Sequence, residues 1–193
     1  MSSSGNMRFH LDTPLVEGLS RLFCQLEQKL ALQRPVNVYL AGGMAAHLYT
    51  GSRYTSDIDA EFGARLLLPP DMAVCIQRED GSAQMLYLDT NYNPSFALMH
   101  EDYQHDALSI ELGTSMLRVH VLTPVDLAVS KLARFSENDR EDIIALMTSG
   151  LTTGEQIAAR AKEALPAYVG NPQSLMWHLE ETLRLAKEIA NKA

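Results

Sequence analysis

No apolar run in this chain of 193 residues approaches the roughly 20 residues a helix needs to cross a bilayer, so a membrane-spanning helix is excluded. Cysteine is scarce. Cys24 and Cys75 have no metal-ligand spacing and lie in apolar contexts, which predicts buried free thiols in a reducing compartment and no disulfide framework. The six histidines are scattered without the close spacing of a zinc site. Basic residues number 16 against 24 acidic ones, a net charge of −8, so the molecule as a whole does not attract nucleic acid. A polynucleotide partner would need a local basic patch. The first residues, Met1 to Gly5, lack the apolar core of a signal peptide. We expect residues 1–12 to be disordered and the protein to be cytoplasmic. No internal repeat is visible.

The hydrophobic fraction, 46%, is that of an ordinary globular protein, and the length suits one domain or a domain plus a small helical appendage. Thr13-Pro14 reads as an N-cap followed by a first helical position, and Leu15, Leu19, Leu22, Leu26 and Leu30 recur at helical spacing over 14–32. Val36–Ala41 reads as a buried strand. After Pro69-Pro70 a short helix is expected over 72–77, then a turn at Glu79–Ser82 and a strand over 84–89. The stretch 99–106 gives no clear pattern. Segments 107–112 and 116–121 read as a hairpin joined at Gly113-Thr114. Helices are expected over 124–135 (Thr123 cap, Pro124), 137–147 (Ser136 cap), from Thr152 or Thr153 to about 165, and from Pro172 to about 189. Strands come first and helices last, which divides the chain into 13–122 and a helical region, 123–193.

The chemistry concentrates in residues 36–62. A strand runs into Gly42-Gly43, a short apolar helix follows at Met44–Tyr49, and a polar bend leads to Asp57-Ile58-Asp59 at the start of a second strand. A strand ending in Gly-Gly at a helix start offers free backbone N–H groups to phosphate oxygens, and glycine lets a ligand approach without a Cβ in the way. Side chains alternate along a strand, so Asp57 and Asp59 are expected on one face with Ile58 inward. Two carboxylates so placed repel unless a cation lies between them. Oxygen ligands of this kind suit Mg²⁺, which takes one or two carboxylates plus substrate phosphates. Each part alone is bland: Gly-Gly is a common turn and Asp-Ile-Asp a common strand start.

Together, in this order and spacing, they resemble the DNA polymerase β-like nucleotidyltransferase superfamily. A second segment, Leu122 to Met147, contains Lys131, Arg134, Asp139, Arg140 and Asp142, and it looks like the helical motif of the AbiEii and MenT group of bacterial toxins. The resemblance covers about 36–63 and 122–147. It implies an α/β (α+β) nucleotidyltransferase fold, with a mixed central sheet and a helical C-terminal part. It also implies Mg²⁺ as cofactor on Asp57 and Asp59, and a nucleoside triphosphate as substrate. Gly42 and Gly43 would then hold the triphosphate, with Arg53, Ser56 and Arg134 as further contacts. Lys131 would bind the leaving pyrophosphate, and Asp139 or Asp142 would serve as base or in a structural role. Met44 departs from the pattern, because many relatives carry Ser or Thr there. Asp139 has a second reading, since Ser136 and Asp139 have the spacing of a capping box. Asp142 could equally sit in a salt bridge, and Arg53 could simply anchor the bend. A third carboxylate is expected among Asp89, Asp106 and Glu111, with Asp106 in the better context beside an apolar strand.

The function this implies is transfer of a nucleotide to an acceptor hydroxyl, in a toxin acting on RNA, specifically tRNA, and controlled by an antitoxin protein. A small-molecule acceptor such as an antibiotic is the alternative within the fold. A catalytically silent interaction protein that keeps this fold, favoured by Met44 and the unplaced third carboxylate, is the alternative of another class. The basic residues available to an RNA, Arg118, Lys131, Arg134 and Arg140, are few.

Overall fold

Thr13 accepts the Val16 N–H through its hydroxyl, Pro14 follows, and the first helix, α1, runs Pro14–Leu30. Its Leu15, Leu19, Leu22 and Leu26 are buried as the spacing predicts, and Ala31 ends it in the left-handed region (φ 45°). The computed structural model describes residues 9–78 and 80–192. The expected disorder of residues 1–8 and the Glu79 part of the predicted turn lie outside them. Residues 9–12 are not free. The Phe9 ring lies 5.2 Å from that of Tyr49, and the His10 N–H donates to the Leu48 carbonyl at 2.9 Å.

Seven strands form two sheets among the described residues. The larger, in order β3-β1-β7-β6, contains β1 (Val36–Leu40), β3 (Ala60–Phe62), β6 (Leu108–Ile110) and β7 (Leu117–Val121). The smaller, β2-β5-β4, contains β2 (Asp57–Ile58), β4 (Ala73–Gln77) and β5 (Ala83–Leu88). Strands β1 and β7 are parallel, as are β2 and β5; the other pairs are antiparallel. The second strand expected from Asp57 to Phe62 is therefore divided. Asp59 lies between β2 and β3, where the chain leaves one sheet for the other. Its own carbonyl accepts the Ala41 N–H at 2.9 Å, tying the switch to the end of β1.

The helix predicted over 72–77 is a strand. Val74 and Ile76 are buried and Cys75 and Gln77 exposed, the two-residue period of a strand, and pairing with β5 overrides any helical start after Pro70. Gly18 of α1 lets this sheet pack close, since a Cβ there would sit 2.3 Å from an Ile76 methyl. Cys75 is consequently exposed, correcting the expectation of a buried thiol, and Cys24 is half-buried; both are free. The unassigned stretch forms a short helix, α3 (Tyr103–Asp106).

Helix α2 (Gly42–Thr50) follows β1 directly. Helix α4 (Pro124–Ser130) follows β7 and stops five residues earlier than predicted. The Lys131 and Leu132 amides bond back three residues, and Phe135 turns left-handed (φ 52°), so Lys131 to Arg134 form a tight turn. Then come α5 (Glu137–Thr148), α6 (Gly154–Ala164) and α7 (Pro172–Ala190), capped by Ser136, Thr153 and Asn171. α5 packs on α2 and α7, and α6 on α4 and α7. No helix among the described residues is long and apolar enough to cross a membrane. The whole is an α+β fold of mixed sheets and helices.

Candidate active site

Parallel pairing builds the site. In β2 and β5, Ile58 lies opposite Leu88, and the Asp89 N–H donates to the Ile58 carbonyl at 3.1 Å. The next residues, Asp59 and Asp89, therefore leave the sheet side by side. In β1 and β7, Leu40 lies opposite Val121, so α2 and α4 also start from neighbouring strand ends. The carboxyl ends of parallel strands are where open α/β sheets hold ligands. A cavity of about 300 Å³ opens there, lined by Gly42, Asp59, Asp89, the loop residues Asn91 to Asn93, Phe96 and Ala97, and Ser130, Lys131, Ala133, Arg134 and Asp139.

Gly42 has φ +58°, and a Cβ built on it would lie 1.6 Å from Asp59 Oδ2. Any other residue would be strained and would displace that carboxylate. Gly43 faces elsewhere: its Cβ position is 2.9 Å from Thr55, so it serves close packing of the bend on α2. Met44 is fully buried in the core, and its side chain offers the site no donor.

Burial, then the charge of Asp89, then that of Asp57, push the Asp59 carboxyl above its ordinary range, against the pull of Lys131 and Arg134. Asp57 is exposed, with one oxygen 3.2 Å from the Ser56 hydroxyl; neither residue lines the cavity wall. Of the three candidates for a further carboxylate, Asp89 is the one beside Asp59. Asp106 is instead held at 2.6 Å by Arg160, which also pairs with the buried Asp126 at 2.7 Å. Glu111 is exposed beside Ser20 and Arg21 of α1, away from this cavity. Asp106 and Glu111 are thus removed from the site. Sequence context could not separate the three, because strand partnership is set by the fold.

Behind the cavity lies a buried charge network. Lys131 Nζ is 2.7 Å from Asp142 Oδ2 and 3.5 Å from Asp139 Oδ1, with all three side chains buried. Arg53 Nε lies 3.0 Å from Asp142 Oδ1; the Lys131 and Arg53 contacts with Asp142 are charge contacts whose angles fall outside hydrogen-bond geometry. Arg53 does not line the cavity and is anchored through its own backbone. His47, buried in α2, donates from Nδ1 to the Arg53 carbonyl at 2.6 Å, and its Nε2 accepts from Thr13 at 2.8 Å. Burial holds His47 below its ordinary value, which keeps it neutral for this task.

Arg134 grips Asp139 with two bonds, Nε to Oδ2 at 2.7 Å and Nη2 to Oδ1 at 2.8 Å. Asp139 Oδ2 also accepts from the Ser136 N–H at 3.0 Å and from its hydroxyl at 2.7 Å, completing the capping box of α5. Burial would raise Asp139, but Arg134, Ser136 and Lys131 outweigh it and hold the carboxyl at about 2. Arg134 itself is three-quarters exposed, so its far edge faces the cavity and solvent. The loop residues Asn91, Tyr92, Asn93, Phe96 and Ala97, with Ser130 and Ala133, were not legible as site residues. Their only signal was an Asn- and Pro-rich loop directly after a strand.

Among the described residues, no three His, Cys, Asp or Glu side chains form a metal cage by themselves. The donor set nevertheless fits a hard cation shared with phosphate. Asp59 is pressed against Gly42 and raised by Asp89, and the nearby protein cations are already paired with Asp139 and Asp142.

Mixed sheets, a glycine at the end of the first strand and carboxylates at the next strand ends define a nucleotidyltransferase-like protein. The chain belongs to the family described as nucleotidyltransferase of unknown function (DUF6036), which it matches over residues 17–178. No curated protein and no solved structure matches it significantly.

Proposed function

We propose that this protein transfers a nucleotide from a nucleoside triphosphate to an acceptor hydroxyl, releasing pyrophosphate. The observation that carries the reading is the convergence of Gly42, Asp59, Asp89, Lys131 and Arg134 on one cavity at the ends of parallel strands. In this reading the cavity takes the triphosphate. The backbone around Gly42, open because no Cβ intervenes, lies against its oxygens. Lys131 and Arg134 supply positive charge where the pyrophosphate gathers negative charge as it leaves. Asp59 and Asp89, with Asp57 at the exposed side, would hold Mg²⁺, which when bound neutralises phosphate charge and aligns acceptor and α-phosphate. The acceptor oxygen bonds to the α-phosphorus as the bond from the α-phosphorus to the oxygen bridging the β-phosphate breaks, and the acceptor's proton passes to solvent water on the open side of the cluster. Asp139 and Asp142 have their oxygens engaged by cations and donors. We therefore assign them to positioning Arg134, Lys131 and Arg53.

For the acceptor, the likeness of residues 122–147 to AbiEii and MenT toxins supports an RNA end, with tRNA and a cognate antitoxin as partners. One observation favours a small hydroxylated acceptor instead. The two cations lining the cavity are already paired, Lys131 with Asp142 and Arg134 with Asp139, and Arg140 on α5 is paired with Glu181, which leaves little to track a polynucleotide backbone. Incubation with Mg²⁺, each α-labelled nucleoside triphosphate and total bacterial RNA tests the choice, with the Asp57→Ala/Asp59→Ala double variant as control. Label in RNA of tRNA size, lost in the variant, is the outcome expected of the toxin reading. Pyrophosphate release with a small polyol or aminoglycoside but no labelled RNA would establish the other. No turnover with either would sink transferase activity.

A further inference from the structure

Phe96 is 83% exposed and sits on the rim of the cavity. A single exposed phenylalanine is ordinary; this one is held in place. The loop that carries it begins at Asp89, whose Oδ1 accepts the Asn91 N–H at 2.8 Å. Asn93 then caps a single 3-10 turn, Pro94–Phe96, by accepting the Ser95 N–H at 2.9 Å, and the Ala97 N–H closes it on the Pro94 carbonyl at 2.9 Å. Tyr92 on one side is half-buried against the core, and Leu98 on the other is fully buried. The turn is therefore pinned at both ends, and the ring it presents has no protein partner for most of its surface. The same cavity is lined by the small side chain of Ala133 and by the exposed Arg134 guanidinium.

We propose that Phe96 is the stacking platform for the base of the nucleoside triphosphate, which makes this a base subsite selecting for aromatic area. The inference rests on the nucleotidyltransferase reading, since it takes the phosphates to lie toward Gly42 and Asp59 and the base toward the rim. An aromatic ring stacks on any base and gains most from the larger purine surface. Purine triphosphates are accordingly the favoured substrates.

Calorimetric titration of the full chain with Mg²⁺ tests it, using α,β-methylene analogues of ATP and CTP and inorganic tripolyphosphate as probes. Phe96→Ala is expected to weaken the ATP analogue about tenfold, to reduce the preference for it over the CTP analogue, and to leave tripolyphosphate within about twofold. Phe96→Trp should restore binding. An unchanged thermal midpoint shows that the exposed position tolerates the change. If the native protein binds all three probes and Phe96→Ala binds them equally well, the stacking assignment falls while the nucleotide reading stands. Equal loss of all three also overturns it, because the loop would then be shaping the phosphate site. If the native protein binds none of them, both readings fall.

Discussion

Asp59 holds the site's conflict in one side chain. It leaves the smaller sheet beside Asp89, is pressed against Gly42, and ends up half-buried and raised above its ordinary range by partial burial and by its acidic neighbours. A carboxyl whose folded value lies above its unfolded value binds more protons folded than unfolded in between. Stability is then lost as pH rises through that window, and above it the ionised group works against folding. At neutral pH without metal, Asp59 therefore opposes folding. Asp59→Asn should keep or raise the thermal midpoint in chelator, while pyrophosphate release falls at least a hundredfold. A midpoint several degrees lower would show that Asp59 is instead a structural hydrogen-bond acceptor.

The junction from α4 to α5 carries the opposite sign. Lys131 and Arg134 sit in the tight turn after α4, and Asp139 caps α5 while holding both of them. Its carboxyl lies at about 2, well below its unfolded value, so it contributes stability above about pH 4 that is lost as pH falls toward about 2. The depression corresponds to roughly 2 kcal/mol at a side chain that is almost fully buried. Asp139→Asn should destabilise by about 1–3 kcal/mol in urea titration at pH 7, and the difference from native should shrink on acidification. A constant difference down to pH 2 would mean that shape, not charge, is what Asp139 supplies. The element scale is also where the sequence was most and least legible. Thr13, Thr123 and Ser136 announce their helices because a cap is chemistry within three residues. The end of α4 at Ser130 was hidden, since Lys131 to Arg134 have good helical propensity and the turn is set by packing of Phe135. Strand β4 is hidden for a similar reason. Its period is visible in Val74 and Ile76, but five residues after a proline pair did not outweigh the helix-start signal without knowledge of β5.

Across the whole molecule, the difference between what could and could not be read is the difference between local and distant contacts. Gly42 and Asp59 stood out because the link between them is short. Asp89 did not, because nothing in the sequence pairs β5 with β2 in parallel, and that register is what sets it beside Asp59. Charge placement is equally a property of the fold. A net charge of −8 was plain from composition, but it took the fold to show Lys131, Arg134 and Arg140 each already matched with a carboxylate. The acceptor can then rely on few free cations, and the dependence on salt follows. A protein that neutralises only one or two phosphates loses less than about tenfold between roughly 50 and 200 mM salt, whereas six or more contacts would cost about a thousandfold. We expect the KM for the true acceptor to change by the smaller factor, measured at saturating nucleoside triphosphate. A steep dependence would show that RNA is held on a surface beyond this cavity, and that the paired arginines exchange their carboxylates for phosphates when it binds.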